Sequence, residues 1–215
     1  MGAMLRVNEI FHSIQGESTH AGRPCVFVRL TGCNLRCVWC DTAYAFHEGK
    51  SLTMNDILER VASYGCELVE ITGGEPLLQA EAIDLMNALL AGGYEVLLET
   101  GGSLPVDQVP EGVSRIIDVK CPGSGESDRN RWENLRVLRP GDELKFVIAD
   151  RADYDWAVSQ VRTRALGDKA TVLFSAVQDQ LPAGQLARWV LDDRLAVHVQ
   201  LQLHKILWPG VAQGV

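Results

Sequence analysis

Three of the six cysteines of this 215-residue chain lie close together, in the stretch TGCNLRCVWCDT from Thr31 to Thr42. Cys33, Cys37 and Cys40 form a CxxxCxxC pattern there. Cysteine thiolates bind zinc and iron–sulfur clusters, and a structural zinc site closes with four ligands. Only His47, seven residues beyond Cys40, could supply a fourth ligand nearby. The spacing therefore indicates a metal centre that uses three thiolates.

A 4Fe-4S cluster meets that requirement better than zinc does. Three cysteines hold three of its irons, and the fourth iron stays open to a small molecule. Three buried, unreactive cysteines are a weaker alternative, because charged neighbours such as Arg36 and Asp41 indicate a loop. The cysteines are thus predicted to hold a cluster with a reactive, open corner.

The composition excludes several other classes of function. The formal charge is −8 and the 20 basic residues are scattered, so nucleic acid is not expected as a direct partner. No apolar run approaches the roughly 20 residues of a membrane helix. Six cysteines without an export signal indicate reduced thiols and a cytoplasmic location. We interpret residues 1–3 as an artificial remnant before a natural start at Met4, and expect residues 4–215 to form a single domain.

Apolar runs and helical periodicity alternate along the chain. Strands are predicted at residues 24–31, 67–72, 94–99, 114–120, 143–149, 170–176 and 196–203, and helices at 53–64, 81–91, 152–165 and 182–191. This rhythm predicts parallel strands joined by right-handed crossovers. A closed eight-fold barrel takes about 250 residues, so we expect an α/β fold with an incomplete (βα) barrel of about six parallel strands. The polar segment 123–130 is expected to be a mobile loop.

Two motifs at the ends of the first two predicted strands resemble those of the radical S-adenosylmethionine superfamily. They are the CxxxCxxC pattern, with Trp39 before its last cysteine, and the stretch GGEP that begins at Gly73. The resemblance implies a 4Fe-4S cluster whose open iron binds S-adenosylmethionine, and a radical that abstracts hydrogen from a substrate. It also implies that Gly73, Gly74 and Glu75 bind the cofactor, which agrees with the close backbone approach that paired glycines permit.

Longer stretches narrow the resemblance to the 7-carboxy-7-deazaguanine synthase family. They are NEIFHSIQGES, GRPCVFVRLTGCNLRCVWCDT, EITGGEPLLQ, LETGGS, DVKCPGSGE and LQLHK. The resemblance implies a lyase that converts 6-carboxy-5,6,7,8-tetrahydropterin to 7-carboxy-7-deazaguanine, with ring contraction and loss of ammonia, in queuosine and deazapurine biosynthesis. It further implies a magnesium ion, an electron donor such as flavodoxin, and a homodimer.

The same resemblance assigns roles to individual residues. The predicted substrate contacts are Ile14, Gln15, Gly16, Glu17, Arg29, Thr72 and His204, the further cofactor contacts are Asp118, Lys120, Ser175 and Gln178, and Thr42 is the predicted magnesium ligand. The residues themselves support part of this. An arginine inside a strand needs a partner, and a substrate carboxylate would satisfy Arg29. Ala176 departs from the family, which usually has proline after the serine.

Two other functions remain open on the sequence. An activating enzyme that makes a glycyl radical on a partner protein shares CxxxCxxC and the barrel, but has no need of SIQGE or LQLHK. A zinc-binding interaction module, from a different class, would hold one zinc ion and would not cleave S-adenosylmethionine.

Overall fold

A computed structural model describes residues 4–215. Residues 1–3, which we interpret as an artificial remnant, lie outside the described residues. Nine strands are present in these residues: β1 (Met4–Ile14), β2 (Pro24–Leu30), β3 (Lys50–Thr53), β4 (Leu68–Gly73), β5 (Glu95–Thr100), β6 (Val113–Asp118), β7 (Glu143–Ile148), β8 (Thr171–Ala176) and β9 (His198–Gln200). The α-helices are α1 (Met54–Ala62), α2 (Glu81–Ala91), α3 (Arg151–Thr163), α4 (Ala183–Asp192) and α5 (Leu203–Leu207).

All the strands belong to one open sheet with the order β3-β1-β2-β4-β5-β6-β7-β8-β9. Parallel pairing runs from β2 through β4 to β9, whereas β1 is antiparallel to both β2 and β3. The predicted incomplete barrel with parallel strands is therefore confirmed. The parallel part has seven strands where about six were expected, and each overlaps one of the seven predicted strand ranges.

Alternation along the strands separates two faces of the sheet. In β2, Val26, Val28 and Leu30 belong to the main core, which also contains buried residues of α1, α2, α3 and α4. Cys25 and Phe27, which alternate with them, belong to a smaller apolar cluster on the opposite face. The face without helices is the interior of the open barrel.

Local signals set the helix boundaries well. The predicted bounds of α2 are confirmed, and α1 begins at a capping box in which Thr53 and Asp56 bond each other's backbone N–H groups. In the described range, no helix has the length and apolar character needed to cross a lipid bilayer.

One local prediction was wrong. The strand expected at 196–203 ends at Gln200 and gives way to α5, because β9 depends on its pairing with β8. The loop expected at 123–130 is present with two 3₁₀ turns that pack on the cysteine loop, and its mobility stays a prediction. Ser124 accepts a 3.0 Å hydrogen bond from the Val38 N–H, and the Glu126 carboxylate accepts a 2.6 Å bond from the Arg36 N–H.

Candidate active site

A cavity of about 560 Å³ occupies the barrel interior and opens at the carboxyl ends of the parallel strands. The structure brings most of the predicted site residues to its wall: Ile14, Gln15, Gly16, Glu17, Arg29, Cys33, Cys37, Cys40, Thr42, Thr72, Gly73, Gly74, Asp118, Lys120, Gln178 and His204. Glu75 and Ser175 do not line this cavity. Residues distant in sequence thus meet in one space, as expected for ligand sites of parallel α/β folds.

The cysteine loop leaves β2 and lies at one end of the cavity. Its three cysteines are free and half-buried. Burial raises the pKa of Cys33, and it raises the pKa of Cys37 to about 11, so both thiols keep their protons until a metal displaces them.

The thiols are not gathered around a single point in this structure. Within residues 4–215, no three His, Cys, Asp or Glu side chains converge closely enough to hold one metal ion. A zinc ion with tetrahedral bonds of about 2.3 Å would draw its sulfurs to within about 4 Å of each other. A 4Fe-4S cluster distributes three sulfurs over three irons, so it does not require that convergence.

The paired glycines of GGEP allow β4 to end directly against the cysteine loop. Gly73 has φ 154°, and a Cβ atom there would overlap the carbonyl oxygen of Leu30. A Cβ atom on Gly74 would overlap the backbone of Gly32 and the Cβ of Cys33. Only glycine at both positions lets this backbone edge approach the cysteines.

Glu75 is turned away from the cavity and is fully buried. Its carboxylate accepts hydrogen bonds from the Leu77 N–H at 3.0 Å and the Gly101 N–H at 2.8 Å, and from the Thr100 hydroxyl at 2.8 Å. It therefore ties the end of β4 to the end of β5. Direct contact with the cofactor, predicted from the sequence, stays a prediction for Glu75.

Asp118 and Lys120 form a 2.8 Å ion pair on the cavity wall. Asp118 Oδ1 is buried and has no hydrogen-bond partner among the described residues. Although burial opposes it, Asp118 raises the pKa of Lys120, with a contribution from nearby Cys37. The cysteine end of the cavity thus has beside it an acceptor without a partner, Asp118 Oδ1, and a charged donor, the Lys120 ammonium.

Ser175 Oγ is also buried without a partner in residues 4–215. It lines an adjoining space of about 260 Å³ together with Ala176, Leu181 and Ile206. Gln178 lines both spaces. The Ser175 hydroxyl is therefore separated from the main cavity in this structure.

Arg29 is only half satisfied by the protein. Its Nε donates a 2.8 Å bond to Glu9, and its guanidinium lies 5.6 Å from the ring centre of Phe11 and 5.9 Å from that of Tyr44. Within the described range, its terminal nitrogens have no hydrogen-bond partner, and the side chain lines the cavity. Those donors match the carboxylate that the sequence predicted for it.

The C-terminal segment covers the open side of the cavity. The Leu203 N–H donates to the Gly16 carbonyl at 2.8 Å, and a Cβ atom on Gly16 would overlap His204 Nδ1. The Lys205 ammonium lies 2.9 Å from Asp41. Burial lowers the pKa of His204, so its ring is neutral near pH 7. This closing segment, residues 202–215, therefore faces the cavity and places the predicted contact His204 in its wall.

Three charged residues at the base of the cavity were missed by the sequence analysis: Glu70 on β4, Glu99 on β5 and Lys145 on β7. Lys145 forms ion pairs with Glu99 and with Glu17, the latter at 2.8 Å. Glu70 accepts a hydrogen bond from the Gln15 amide. A signal was present, because each residue interrupts an apolar strand at a position where an unpaired charge would be costly.

Known proteins resemble this chain in sequence and in fold. The sequence model of the Radical SAM superfamily matches residues 27–122. The chain is 46% identical to the 7-carboxy-7-deazaguanine synthase of Koribacter versatilis (strain Ellin345), and the match covers 98% of this chain and 100% of that protein. The chain belongs to the 7-carboxy-7-deazaguanine synthase family. A second relative with the same name, from Chlorobaculum tepidum, is 47% identical, and the match covers 99% of this chain and 98% of that protein.

The fold is shared with a solved structure. The crystal structure of QueE from Escherichia coli superposes with a TM-score of 0.77, covering 94% of this chain and 95% of that one at 20% identity. As a member of the radical S-adenosylmethionine superfamily, the chain uses a 4Fe-4S cluster and S-adenosylmethionine. The three half-buried thiols, the glycine-lined backbone edge and the unpartnered Asp118 oxygen are groups that fit these two cofactors.

Proposed function

We propose that this chain converts 6-carboxy-5,6,7,8-tetrahydropterin to 7-carboxy-7-deazaguanine, with ring contraction and ammonia loss, as a lyase of deazapurine and queuosine biosynthesis. The observation that carries the proposal is one covered cavity with two chemically different ends. Three thiols lie at one end, and the unpaired donors of Arg29 lie within the same walls. The near full-length identity to 7-carboxy-7-deazaguanine synthases supports it.

The cofactors would occupy the cysteine end. Cys33, Cys37 and Cys40 would hold the cluster, and the backbone of Gly73 and Gly74 would approach S-adenosylmethionine. Asp118, Lys120 and Gln178 line the same wall and are proposed to hydrogen-bond the cofactor, with Ser175 behind them. When bound, the cluster and S-adenosylmethionine supply a hydrogen-abstracting radical. Glu75 acts on this end by fixing the ends of β4 and β5.

The substrate would lie between Arg29 and the residues of SIQGE. Arg29 donates to the substrate carboxylate, while Gln15 and Glu17 offer polar groups to the edge of the pterin. Ile14 and Gly16 shape the wall and Thr72 contributes a hydroxyl beside Glu99. His204 covers the ring from the closing segment, which keeps water from the reacting carbon.

Magnesium is proposed at Thr42. Its hydroxyl lies 3.7 Å from Cys40 Sγ and lines the cavity, whereas the neighbouring Asp41 is engaged by Lys205. Magnesium accepts few protein ligands and retains waters, so one hydroxyl with the substrate's oxygens would suffice. Replacing Thr42 by Val should raise the magnesium concentration needed for half-maximal activity, and unchanged magnesium dependence would contradict this assignment.

An electron donor such as flavodoxin is proposed to approach the cysteine loop from outside. Val38 lies between two of the cysteines and is 74% exposed, so the cluster end of the cavity is close to the surface. A homodimer is proposed from the family resemblance, with sedimentation velocity as its test. The cytoplasm is proposed as the location, since all six cysteines are free.

The covered cavity disfavours the glycyl-radical activating enzyme. Such an enzyme must admit a segment of a partner protein, whereas residues 202–215 contribute to the wall around this cavity. The cover and the size of the cavity therefore favour a small molecule as the substrate.

The test is an anaerobic assay with reconstituted protein, reductant, S-adenosylmethionine, magnesium and 6-carboxytetrahydropterin, followed by mass spectrometry. We expect 7-carboxy-7-deazaguanine, lost in Cys37→Ala and retained in the control Cys66→Ala, since Cys66 is a free cysteine outside the cavity wall. Formation of 5′-deoxyadenosine without that product would refute the substrate. A metal analysis that finds only zinc would refute both the cluster and the reaction.

A further inference from the structure

Lys145 stands on β7 at the base of the cavity, with its side chain only 5% exposed. Its ammonium has three N–H donors. One is used by Glu17 at 2.8 Å and one by Glu99, while Asp118 Oδ2, at 3.8 Å, is beyond hydrogen-bond distance. One donor of a buried ammonium is therefore left for a group inside the cavity.

Glu99 places an acceptor beside that donor. Its side chain is 29% exposed, and it lines the cavity. One of its oxygens bonds Lys145, and the other accepts a 3.1 Å bond from the Thr72 hydroxyl. Burial opposes ionisation, but Lys145 and Thr72 lower the pKa of Glu99 to about 2, so it is an anion near pH 7.

Apolar side chains form the rest of the base. Phe11 and Phe27 stack with ring centres 4.9 Å apart, and both line the cavity together with Ile116. A flat ring can rest on this surface and present its edge to the ion pair. An adjacent acceptor and donor complement a ring N–H next to a carbonyl, which is the pattern of a 4-oxopyrimidine edge.

We infer that Lys145 determines specificity for the substrate's 4-oxo group: it donates to that oxygen, while Glu99 accepts from the neighbouring ring N–H. The inference rests on the proposed function, and Lys145 lies outside the segments that carry the family resemblance. The Lys145–Glu17 bond also fixes the donor in advance, because Glu17 is itself held by Gln202 at 2.8 Å. The charged side chains of the site are therefore already in position to bind the ring before the substrate enters.

The experiment compares two unreactive ligands near pH 7, 6-carboxypterin and 2,4-diaminopteridine-6-carboxylic acid. The second ligand carries an amino donor in place of the 4-oxo acceptor. The positive charge of Lys145 also opposes protonation of this ligand. Binding to reconstituted enzyme with S-adenosylmethionine is followed by ligand fluorescence. We expect the wild type to prefer 6-carboxypterin by about tenfold or more, since a mismatched ligand leaves a buried donor unpaired. In Lys145→Met the two affinities should agree within about threefold.

Two further variants keep the test decisive. Lys145→Met leaves Glu17 and Glu99 without a counter-ion, so it is compared with Glu99→Gln, in which Lys145 keeps its other carboxylates. The glutamine amide can donate to the unprotonated ring nitrogen of the diamino ligand, so this variant should also reduce the preference. Arg23→Met is the control, because it removes an exposed ion-paired cation outside the cavity wall and should leave the preference unchanged.

The outcomes separate the two proposals. If the wild type makes product but Lys145→Met and Glu99→Gln both keep its preference, the lysine serves only to balance charge and the inference is overturned. If Lys145→Met does not fold, Glu99→Gln decides alone. If the wild type binds neither ligand and makes no product, the proposed function itself fails.

Discussion

Glu75→Gln tests whether the buried carboxylate, and not merely a side chain of its size, holds β4 and β5 together at the site. The two carboxylate oxygens each accept from a different backbone N–H, Leu77 on one side and Gly101 on the other. A glutamine has only one acceptor oxygen, so in either amide orientation its NH₂ group meets one of these N–H donors. One buried backbone donor is then unpaired.

The magnitude follows from two opposing effects. A buried donor without a partner costs about 1 to 3 kcal/mol. Burial raises the pKa of Glu75, so removing the charge returns part of its desolvation cost. We therefore expect Glu75→Gln to lower the free energy of unfolding by about 1 to 2 kcal/mol, whereas Glu75→Ala, which leaves both donors unpaired and a void, should lose about 3 to 5 kcal/mol.

The assay is urea unfolding of the cluster-free protein under reducing conditions, with thermal unfolding as a second measurement. For a chain of this size, the glutamine variant should melt about 2 to 8 °C lower. Glu67→Gln is the control, because Glu67 is exposed at the other end of β4. If Glu75→Gln stays within about 0.5 kcal/mol of this control, the carboxylate does not clamp the two strands.

Three further predictions concern the cavity wall. Burial, and to a smaller extent Glu99, raises the pKa of Glu70, so Glu70 keeps its proton in the folded state at pH values where the unfolded state loses it. The wild type should therefore lose stability relative to Glu70→Gln as the pH rises from about 5 to about 8. Urea unfolding of both proteins at the two pH values measures this difference. Gly16→Ala should raise KM for the pterin several-fold by displacing His204, and an unchanged KM would show that the closing segment adapts. Arg29→Met should weaken binding of 6-carboxypterin by about 10- to 150-fold, the equivalent of a charged hydrogen bond of about 1.5 to 3 kcal/mol, while the surface control Arg23→Met should bind normally.

Segments with strong local signals were predicted well from the sequence. The bounds of α2 follow from its apolar periodicity and from Gly92 beyond its end, and α1 follows from the Thr53–Asp56 cap. The cysteine loop could be placed because an apolar run, β2, leads directly into it. Each of these signals is contained in about ten consecutive residues.

What could not be predicted depends on partners far along the chain. No strand was predicted at β1, because its pairing with both β2 and β3 is a property of the sheet. The direction of Glu75 is set by Thr100 and Gly101, which lie on the next strand. The charge of Lys145 within an apolar strand indicates that it needs a partner, but only the curvature of the sheet places it beside Glu17 and Glu99.

The open sheet also has a consequence for how this protein avoids the addition of strands from other chains at its edges. An unclosed barrel has two edges at which another chain could add a strand. Here the edges are the two shortest strands of the described sheet, β3 with four residues and β9 with three. β3 begins with exposed Lys50, and a charged lysine on an edge discourages strand addition. The sheet can thus stay open enough to enclose two ligands while offering little backbone to a misfolded neighbour.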